Sequence, residues 1–98
     1  MITVITRTYF PPGLSDVMED LTSRSIPIFK KQPGFINMEV LKAMGGNGTL
    51  TVFKWKSITD HENCMSSEDW SALNKEWEDF LGREDVHFEF VFTGRDWM

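Results

Sequence analysis

Breaks rich in glycine and proline cut this sequence into short segments, and the order of those segments limits the folds available to it. PPG interrupts the chain at residues 11–13, QPG at 32–34 and GGNG at 45–48, and a further glycine stands at position 82. Glycine tolerates positive φ and proline cannot donate a backbone hydrogen bond, so each break ends a helix or strand. The segments between the breaks predict separate helices and strands.

Two residue periods distinguish the strands from the helices. Alternation around β-branched and aromatic residues predicts four strands, at Ile2–Phe10, Phe35–Met44, Thr49–Lys56 and Val86–Thr93. Apolar residues three or four apart predict a helix that begins near Ser15 and another over Ser67–Leu81, with a short helix before the latter. The GGNG loop then joins the second and third strands as a hairpin.

The first predicted helix has a capping signal at its start and a helix-breaking residue inside. Ser15 is expected to be its N-cap, with Asp16 as an acid in the first turn. Pro27 falls within the apolar stripe that runs to Phe29. Because proline lacks the amide hydrogen that a helix interior uses, Pro27 predicts a kink or a break into two pieces.

The order of elements is β-α-β-β-(short α)-α-β. This is the split βαβ, or ferredoxin-like, arrangement of the α+β class, with helices on one face of an antiparallel sheet. The 98 residues fit one domain, and no repeat, linker or low-complexity segment divides residues 1–98.

Both faces of the predicted sheet are apolar. The third strand carries Leu50 and Val52 on one side and Phe53 and Trp55 on the other. Each large side chain left in water forfeits roughly 1.5–3 kcal/mol, so a second surface should cover the face without helices. We expect a homodimer joined through this sheet face. Where that second face also carries polar residues such as Thr6, Asn37, Glu39 or His87, the space between the two sheets could be a ligand cavity. The sequence leaves open which set of alternate residues faces inward.

Charge and cysteine content exclude several classes of protein. The net charge is −5 and the 10 Lys and Arg are scattered, whereas a nucleic-acid binder needs a clustered basic face. A single cysteine forms no internal disulfide. The first residues, MITVITRTYF, lack a basic leader and a cleavage site, and no apolar run reaches the length of a membrane span. We expect a cytoplasmic protein that binds neither nucleic acid nor membrane.

The stretch TDHENCMSS, residues 59–67, places Asp60, His61, Glu62 and the only cysteine, Cys64, close together. These residue types can form a metal site or an activated thiol. Local chemistry offers another interpretation, because Thr59 and Glu62 have the spacing of a capping box and Asp60 suits the first turn. Cys64 then packs as a small buried hydrophobe. Only His61 is left without a local explanation.

Three segments together resemble the antibiotic biosynthesis monooxygenase family: QPGF, VFKWKSITDHENCMSSEDW and VHFEFVF. The most specific element is Trp55 on the third strand followed by His61 at the start of the short helix. The resemblance implies a ferredoxin-like fold that forms a dimeric α+β barrel, with a pocket between sheet and helices. It also implies oxidation of small aromatic or quinol-like molecules by dioxygen without a cofactor.

A second branch of the same superfamily degrades haem, with an asparagine on the first strand, a tryptophan in the short helix and a histidine on the long helix. This chain carries Thr6, Cys64 and Asn74 at the matching positions. All three depart from that branch, which argues against haem degradation. Cys64 or His61 as an unusual axial ligand to iron stays open.

Eight residues are the candidates for a site. The proposed catalytic residues are His61, His87 and Asn74, and the proposed substrate-binding residues are Thr6, Asn37, Glu39, Trp55 and Trp70. Four of them have a simpler interpretation: core or interface packing for the two tryptophans, a solvated or interface pair with Glu89 for His87, and an edge amide for Asn74. Arg7 could bind an anionic substrate or pair across the sheet. No metal-ligand spacing is present.

Two functions of different classes remain after these observations. The first is a cofactor-independent monooxygenase acting on a small hydrophobic or aromatic molecule. The second is a non-catalytic dimeric domain that binds a small ligand or serves as a stress-linked accessory. The absence of an obvious general base in the sequence favours the second function.

Overall fold

The computed structural model describes the backbone of residues 1–95 and the side chains of residues 1–89. Four strands and three α-helices follow one another in the predicted order, with one short 3-10 turn at Pro12–Leu14. The strands are β1 (Ile2–Tyr9), β2 (Phe35–Lys42), β3 (Gly48–Trp55) and β4 (His87–Arg95), and the helices are α1 (Ser15–Lys30), α2 (Ile58–Met65) and α3 (Glu68–Leu81).

The strands form one antiparallel sheet in the order β2-β3-β1-β4. This is the split βαβ topology, so the α+β, ferredoxin-like prediction is confirmed. The two central strands pair along their whole length, from Ile2 opposite Trp55 to Tyr9 opposite Gly48. The predicted strand boundaries are correct to within two residues at the ends described.

One β-bulge changes which residues of β2 face inward. The register shifts between Phe35 and Asn37, so that Phe35 lies opposite Trp55 and Asn37 lies opposite Lys54. Since the bulge inserts Ile36 between them, Phe35 and Met38 share the inner face while Asn37 is turned to the outer face. The bulge therefore reverses the alternation expected for the rest of β2.

The core lies between the sheet and α1 and α3. Trp55 is completely buried, and its neighbours in the core include Phe29 of α1 and Trp70 of α3. Aromatic rings dominate this layer, with Phe29 in edge contact with Phe53 at 5.2 Å and tilted against Trp70 at 4.9 Å between ring centroids.

Two predictions about α1 are wrong. The helix continues through Pro27 in one piece, because Pro27 lies in the last turn and removes only the hydrogen bond to the carbonyl of residue 23. Ser15 is the first helical residue and not the N-cap, which is Leu14 without a side-chain cap. The Ser15 hydroxyl instead donates to the Gly46 carbonyl at 3.1 Å, which ties the start of α1 to the β2–β3 loop.

The predicted start of α2 is also wrong. Ser57, and not Thr59, is the N-cap, and its hydroxyl accepts a hydrogen bond from the backbone N–H of Asp60 at 3.1 Å. The same hydroxyl donates to the Asp60 carboxylate at 2.9 Å. At the start of α3, Ser67 is the N-cap, and its hydroxyl accepts a hydrogen bond from the Trp70 amide. Within the described residues, no helix has the length and apolarity needed to cross a membrane.

Candidate functional site

A cavity of about 280 Å³ lies between the sheet and the three helices. The inner faces of β1 and β3 form its floor, and α1 and α3 form its roof. The residues that line it are Val4, Thr6, Thr8, Met18, Thr22, Ser25, Phe29, Met38, Thr51, Phe53, Trp55, His61, Met65, Trp70, Asn74, Trp77, Leu81 and Phe88. None of these residues is an acid, a lysine or an arginine, so among the described residues of the cavity wall only His61 can change its charge near neutral pH.

One end of the cavity is aromatic. Trp55 closes the inner end of β3, and Phe29 and Trp70 cover it from α1 and α3. The ring centroids of Phe29 and Trp55 are 6.3 Å apart at an interplanar angle of 83°. Such an arrangement presents both ring edges and ring faces, which is how aromatic side chains hold a flat aromatic ligand.

His61 stands at this aromatic end on the first turns of α2. Its imidazole lies 5.6 Å from the Trp55 ring, centroid to centroid, in an edge contact. Burial lowers the pKa of His61 from its ordinary value of 6.5, and the charge of neighbouring Glu62 only partly opposes this effect. The imidazole is therefore neutral at pH 7 and has a free electron pair on one nitrogen for a proton.

The other part of the floor is a set of threonines on the two central strands. Thr6 lies opposite Thr51 and Thr8 opposite Thr49, so four hydroxyl-bearing side chains form a square on the inner face. Thr8, Thr49 and Thr51 are buried. Thr22 of α1 faces the same part of the cavity. We refer to Thr6, Thr8, Thr22 and Thr51 as the threonine wall.

Asn74 and Trp77 of α3 continue the roof along the cavity. The Asn74 amide donates to the Glu78 carboxylate at 3.1 Å, which leaves its carbonyl oxygen as an acceptor. The Trp77 indole N–H donates to the Ser25 hydroxyl at 2.9 Å, and that hydroxyl donates in turn to the Leu21 carbonyl at 2.7 Å. Because Ser25 is buried on α1, this chain of bonds fixes the Trp77 ring across the two helices.

The structure brings five of the eight predicted site residues together at the cavity, namely His61, Asn74, Thr6, Trp55 and Trp70. Asn37, Glu39 and His87 lie elsewhere, on the outer face of the sheet. The sequence expectation grouped Thr6 with these three on one face, and the structure separates them. His87 stacks against Tyr9 at 6.3 Å between ring centroids.

Arg7 also belongs to the outer face. Its guanidinium donates to the Tyr9 hydroxyl at 3.0 Å and lies 3.4 Å from the Glu89 carboxylate. This is the cross-sheet pair that the sequence offered as the alternative to an anion site. Both members are exposed, so the pair is a surface contact of small energetic weight.

Sequence reasoning missed several residues of the cavity, notably Thr22, Ser25 and Thr51. Thr22 and Ser25 lie on the same helical face as Met18 and Phe29, at spacings of three and four, so the apolar stripe of α1 already contained the signal. Thr51 alternates with Phe53 and Trp55 along β3. A search for hydroxyls within apolar stripes would have found all three.

Cys64 does not have the properties of a reactive thiol. It is buried, and burial raises the pKa of its thiol to about 11. A thiol in that state carries almost no thiolate at neutral pH and is a poor nucleophile or metal ligand. Across residues 1–95, no group of three or more histidine, cysteine, aspartate or glutamate side chains is placed to hold a metal ion.

Comparison with solved structures gives the same fold at low identity. SnoaB, a cofactor-independent oxygenase from Streptomyces nogalater, matches at a TM-score of 0.77 and 14% identity over 99% of this chain and 93% of its own. Rv0793 from Mycobacterium tuberculosis matches at 0.74 and 14%, over 93% and 92% of the two chains. A protein described as an antibiotic biosynthesis monooxygenase matches at 0.72 and 13%, over 94% and 97%.

Comparison at the level of sequence adds the family. A search of curated proteins finds no match. A family model described as "antibiotic biosynthesis monooxygenase" matches residues 1–76, which span β1 to the middle of α3 and include Trp55 and His61. The chain belongs to the antibiotic biosynthesis monooxygenase family.

Proposed function

We propose that this protein is a cofactor-independent monooxygenase that uses dioxygen to oxidise a small hydrophobic aromatic substrate in the cavity. The observation that carries the proposal is a neutral imidazole, His61, at the aromatic end of a cavity in which no other described lining residue is an acid or a base. Family membership and the likeness to a cofactor-independent oxygenase support it.

In the proposed reaction the substrate supplies all the electrons. His61 takes a proton from an acidic position of a phenol or its keto tautomer, and the resulting anion transfers one electron to dioxygen. The two radicals combine to form a carbon–oxygen bond, and the peroxide receives the proton back from His61. The carbon then loses its remaining hydrogen as the O–O bond breaks, so that a CH₂ group and O₂ become a carbonyl and water.

The other residues bind and orient the substrate in this scheme. Trp55 and Trp70 contact its rings, and Asn74 and Thr6 offer hydrogen bonds to its oxygen substituents. The apolar wall excludes water, which protects the anion and the peroxide from side reactions and strengthens each hydrogen bond. Such a base contributes typically 10²–10⁴-fold to a rate when its pKa lies close to the working pH.

Asn37, Glu39 and His87 have no part in this scheme within one protomer. They belong to the outer face, which we propose is the surface that joins two copies into a dimeric barrel. Ile5 lies opposite Val52 and Leu41 opposite Leu50 on that face. Leu41 and Tyr9 of this face are 46% and 43% exposed, and large apolar side chains that share one exposed face are typical of an interaction surface.

A second candidate is a non-catalytic domain that binds a small ligand. One observation favours it: no carboxylate lines the described cavity beside His61 to orient the imidazole or stabilise its charged form. Base catalysis by histidine commonly relies on such a partner. In this alternative the same cavity binds the ligand, and no oxygen is consumed.

Oxygen uptake separates the two candidates. We expect the purified protein, supplied with a panel of air-oxidisable quinols and naphthol-type phenols, to consume oxygen faster than the protein-free solution. His61→Gln should lower that rate about 10²-fold, because it removes the base and keeps a side chain of similar size. Lys75→Gln, an exposed change on α3, is the control and should leave the rate unchanged. Saturable binding without oxygen uptake across the whole panel would establish the second candidate.

A further inference from the structure

We infer that the natural substrate is an uncharged aromatic of about two fused rings that carries its oxygen substituents on the side facing the threonine wall. This inference rests on the proposed function for the chemistry, and on the dimensions and polarity of the cavity for the substrate class. Three observations lead to it: volume, charge and the direction in which polarity changes along the cavity.

The volume of the cavity limits the number of rings. An apolar cavity of roughly 150 Å³ is sufficient to bind benzene. At about 280 Å³, this cavity has room for close to two such rings. A single ring would leave part of the apolar wall without contacts.

The charge of the wall limits the ionisation state. Among the described residues that line the cavity there is no lysine or arginine to pair with a carboxylate, sulfonate or phosphate, and His61 is neutral at pH 7 because burial lowers its pKa. Placing an unpaired anion in such surroundings is costly, since it loses hydration and gains no counter-charge. A free acid or a thioester of a phosphorylated carrier therefore fits poorly inside the cavity.

Polarity changes along the strands. At the Trp55 end of the central strand pair the wall consists of rings, and toward Thr8 it becomes hydroxyl groups. The threonine wall contributes one donor and two acceptor positions per hydroxyl, without charge. An aromatic molecule with hydroxyl or carbonyl groups on one side matches both ends of the cavity. Its rings contact Phe29, Trp55 and Trp70 at the aromatic end. Its oxygen atoms form hydrogen bonds with Thr6 and Thr51 of the threonine wall.

Hydrogen bonds between α1 and α3 hold the two helices of the roof together. Trp77 is held by Ser25 of α1, and outside the cavity Arg24 of α1 binds Glu76 of α3 through two hydrogen bonds of 2.8 Å. Widening the gap between α1 and α3 to admit a third ring would break these bonds together. The distance between α1 and α3, and with it the width of the cavity between the helices, is therefore held by bonds that join the two helices.

The test is anaerobic binding, followed by quenching of tryptophan fluorescence, because three tryptophans line the cavity. Under nitrogen we expect 1-naphthol to bind at least about 10-fold more tightly than phenol, in line with the apolar area of the second ring. It should also bind more tightly than 9-anthrol, whose third ring does not fit. Met38→Ala, which removes a partly exposed wall residue, should selectively improve the affinity for 9-anthrol.

Two matched comparisons test charge and polarity. 1-Naphthamide and 1-naphthoate have the same shape, and the amide should bind at least about 10-fold more tightly than the anion. Thr51→Val should weaken binding of 1-naphthol about 3- to 10-fold and leave binding of naphthalene unchanged, since only the hydroxyl contact is lost.

The inference would be overturned if 1-naphthoate bound as well as the amide, or if 9-anthrol bound the unmodified protein better than 1-naphthol. These outcomes are independent of turnover. Binding as expected together with no oxygen uptake would refute the oxygenase function and leave the substrate class standing. Oxygen uptake with a charged or larger substrate would refute the substrate class and leave the oxygenase function standing.

Discussion

At the scale of single residues, Gly34 links a turn of the backbone to the helix that carries His61. Its φ is +81°, and a Cβ atom built on it would lie 2.6 Å from the Asp60 Cβ and closer still to its carboxylate. Asp60 cannot move aside freely, because its carboxylate and amide are both bonded to the N-cap Ser57. Gly34 is thus the point at which the QPGF turn and α2 meet.

We expect Gly34→Ala to lower the free energy of unfolding by about 1–3 kcal/mol, from positive φ and from the clash with Asp60. Chemical denaturation measures this loss. Gly13→Ala is the matched control, since no atom lies within 4 Å of the added methyl group and its φ is not positive. An equal effect of the two substitutions would contradict the role given to Gly34.

His61 gives a pH-dependent prediction at the same scale. Its folded-state pKa is below the ordinary value of 6.5, so just below pH 6.5 the unfolded chain binds a proton that the folded protein does not. The free energy of unfolding should therefore fall as the pH is lowered through this window and level off below the folded pKa. His61→Gln should remove this part of the slope, as measured by urea unfolding at several pH values. An unchanged slope would contradict burial of a neutral imidazole.

At the scale of elements, α1 and α3 are joined over the cavity by the buried hydroxyl of Ser25. That hydroxyl accepts from Trp77 and donates to the Leu21 carbonyl. Removing it leaves the indole N–H without an acceptor inside the roof. The bond therefore affects both the stability of the two-helix layer and the position of a cavity wall.

Ser25→Ala should lower the free energy of unfolding by about 1–3 kcal/mol, the cost of leaving a buried donor unpaired. It should also weaken binding of 1-naphthol, because Trp77 is no longer fixed. Thermal and urea unfolding measure the first effect, and fluorescence titration the second. Ser71→Ala, on the exposed side of α3, should change neither. Wild-type stability of Ser25→Ala would show that the bond contributes nothing.

Elements were also the scale at which sequence reasoning succeeded best. The strands and α3 were predictable because alternation, helical spacing and the Ser67 cap agree with one another. The start of α2 was not, because Ser57 and Thr59 both satisfy the local rule for an N-cap, and the choice between them depends on packing against Gly34. The prediction at Pro27 failed for a similar reason. The free-energy cost of a proline in a helix depends on how close it lies to the end of the helix, and the sequence does not fix that end.

The site was predictable only in part, and the reason is the sheet. Both faces are apolar, so the sequence could not decide which alternate residues face the helices. Strict alternation from Phe35 would place Asn37 and Glu39 on the same face as Phe35. The bulge between Phe35 and Asn37 turns both of them to the opposite face. His61 and Trp55 were found because their spacing is the most specific part of the family resemblance, and Trp70 because it lies on the apolar stripe of a helix, where the ambiguity of the sheet faces does not apply.

At the scale of the whole molecule, the outer face predicts self-association. We expect the protein to be a dimer at micromolar concentration in sedimentation equilibrium. Val52→Lys, which places a charge opposite Ile5 in the middle of this face, should give a monomer with an unchanged circular dichroism spectrum. Asn63→Lys adds the same charge on the exposed side of α2 and should leave the dimer intact. A monomeric wild-type protein would remove the basis for a dimeric barrel.

The strand order also has a consequence for how the protein is made. β1 is synthesised first, yet one of its two partners, β4, is synthesised last. While the chain is being translated, β1 has an unpaired edge, and Thr8 lacks the neighbouring Phe88 that closes that part of the cavity. An open edge of this kind invites pairing with other chains. We therefore expect the cavity to form only after β4 has emerged from the ribosome, and the nascent chain to need protection until then.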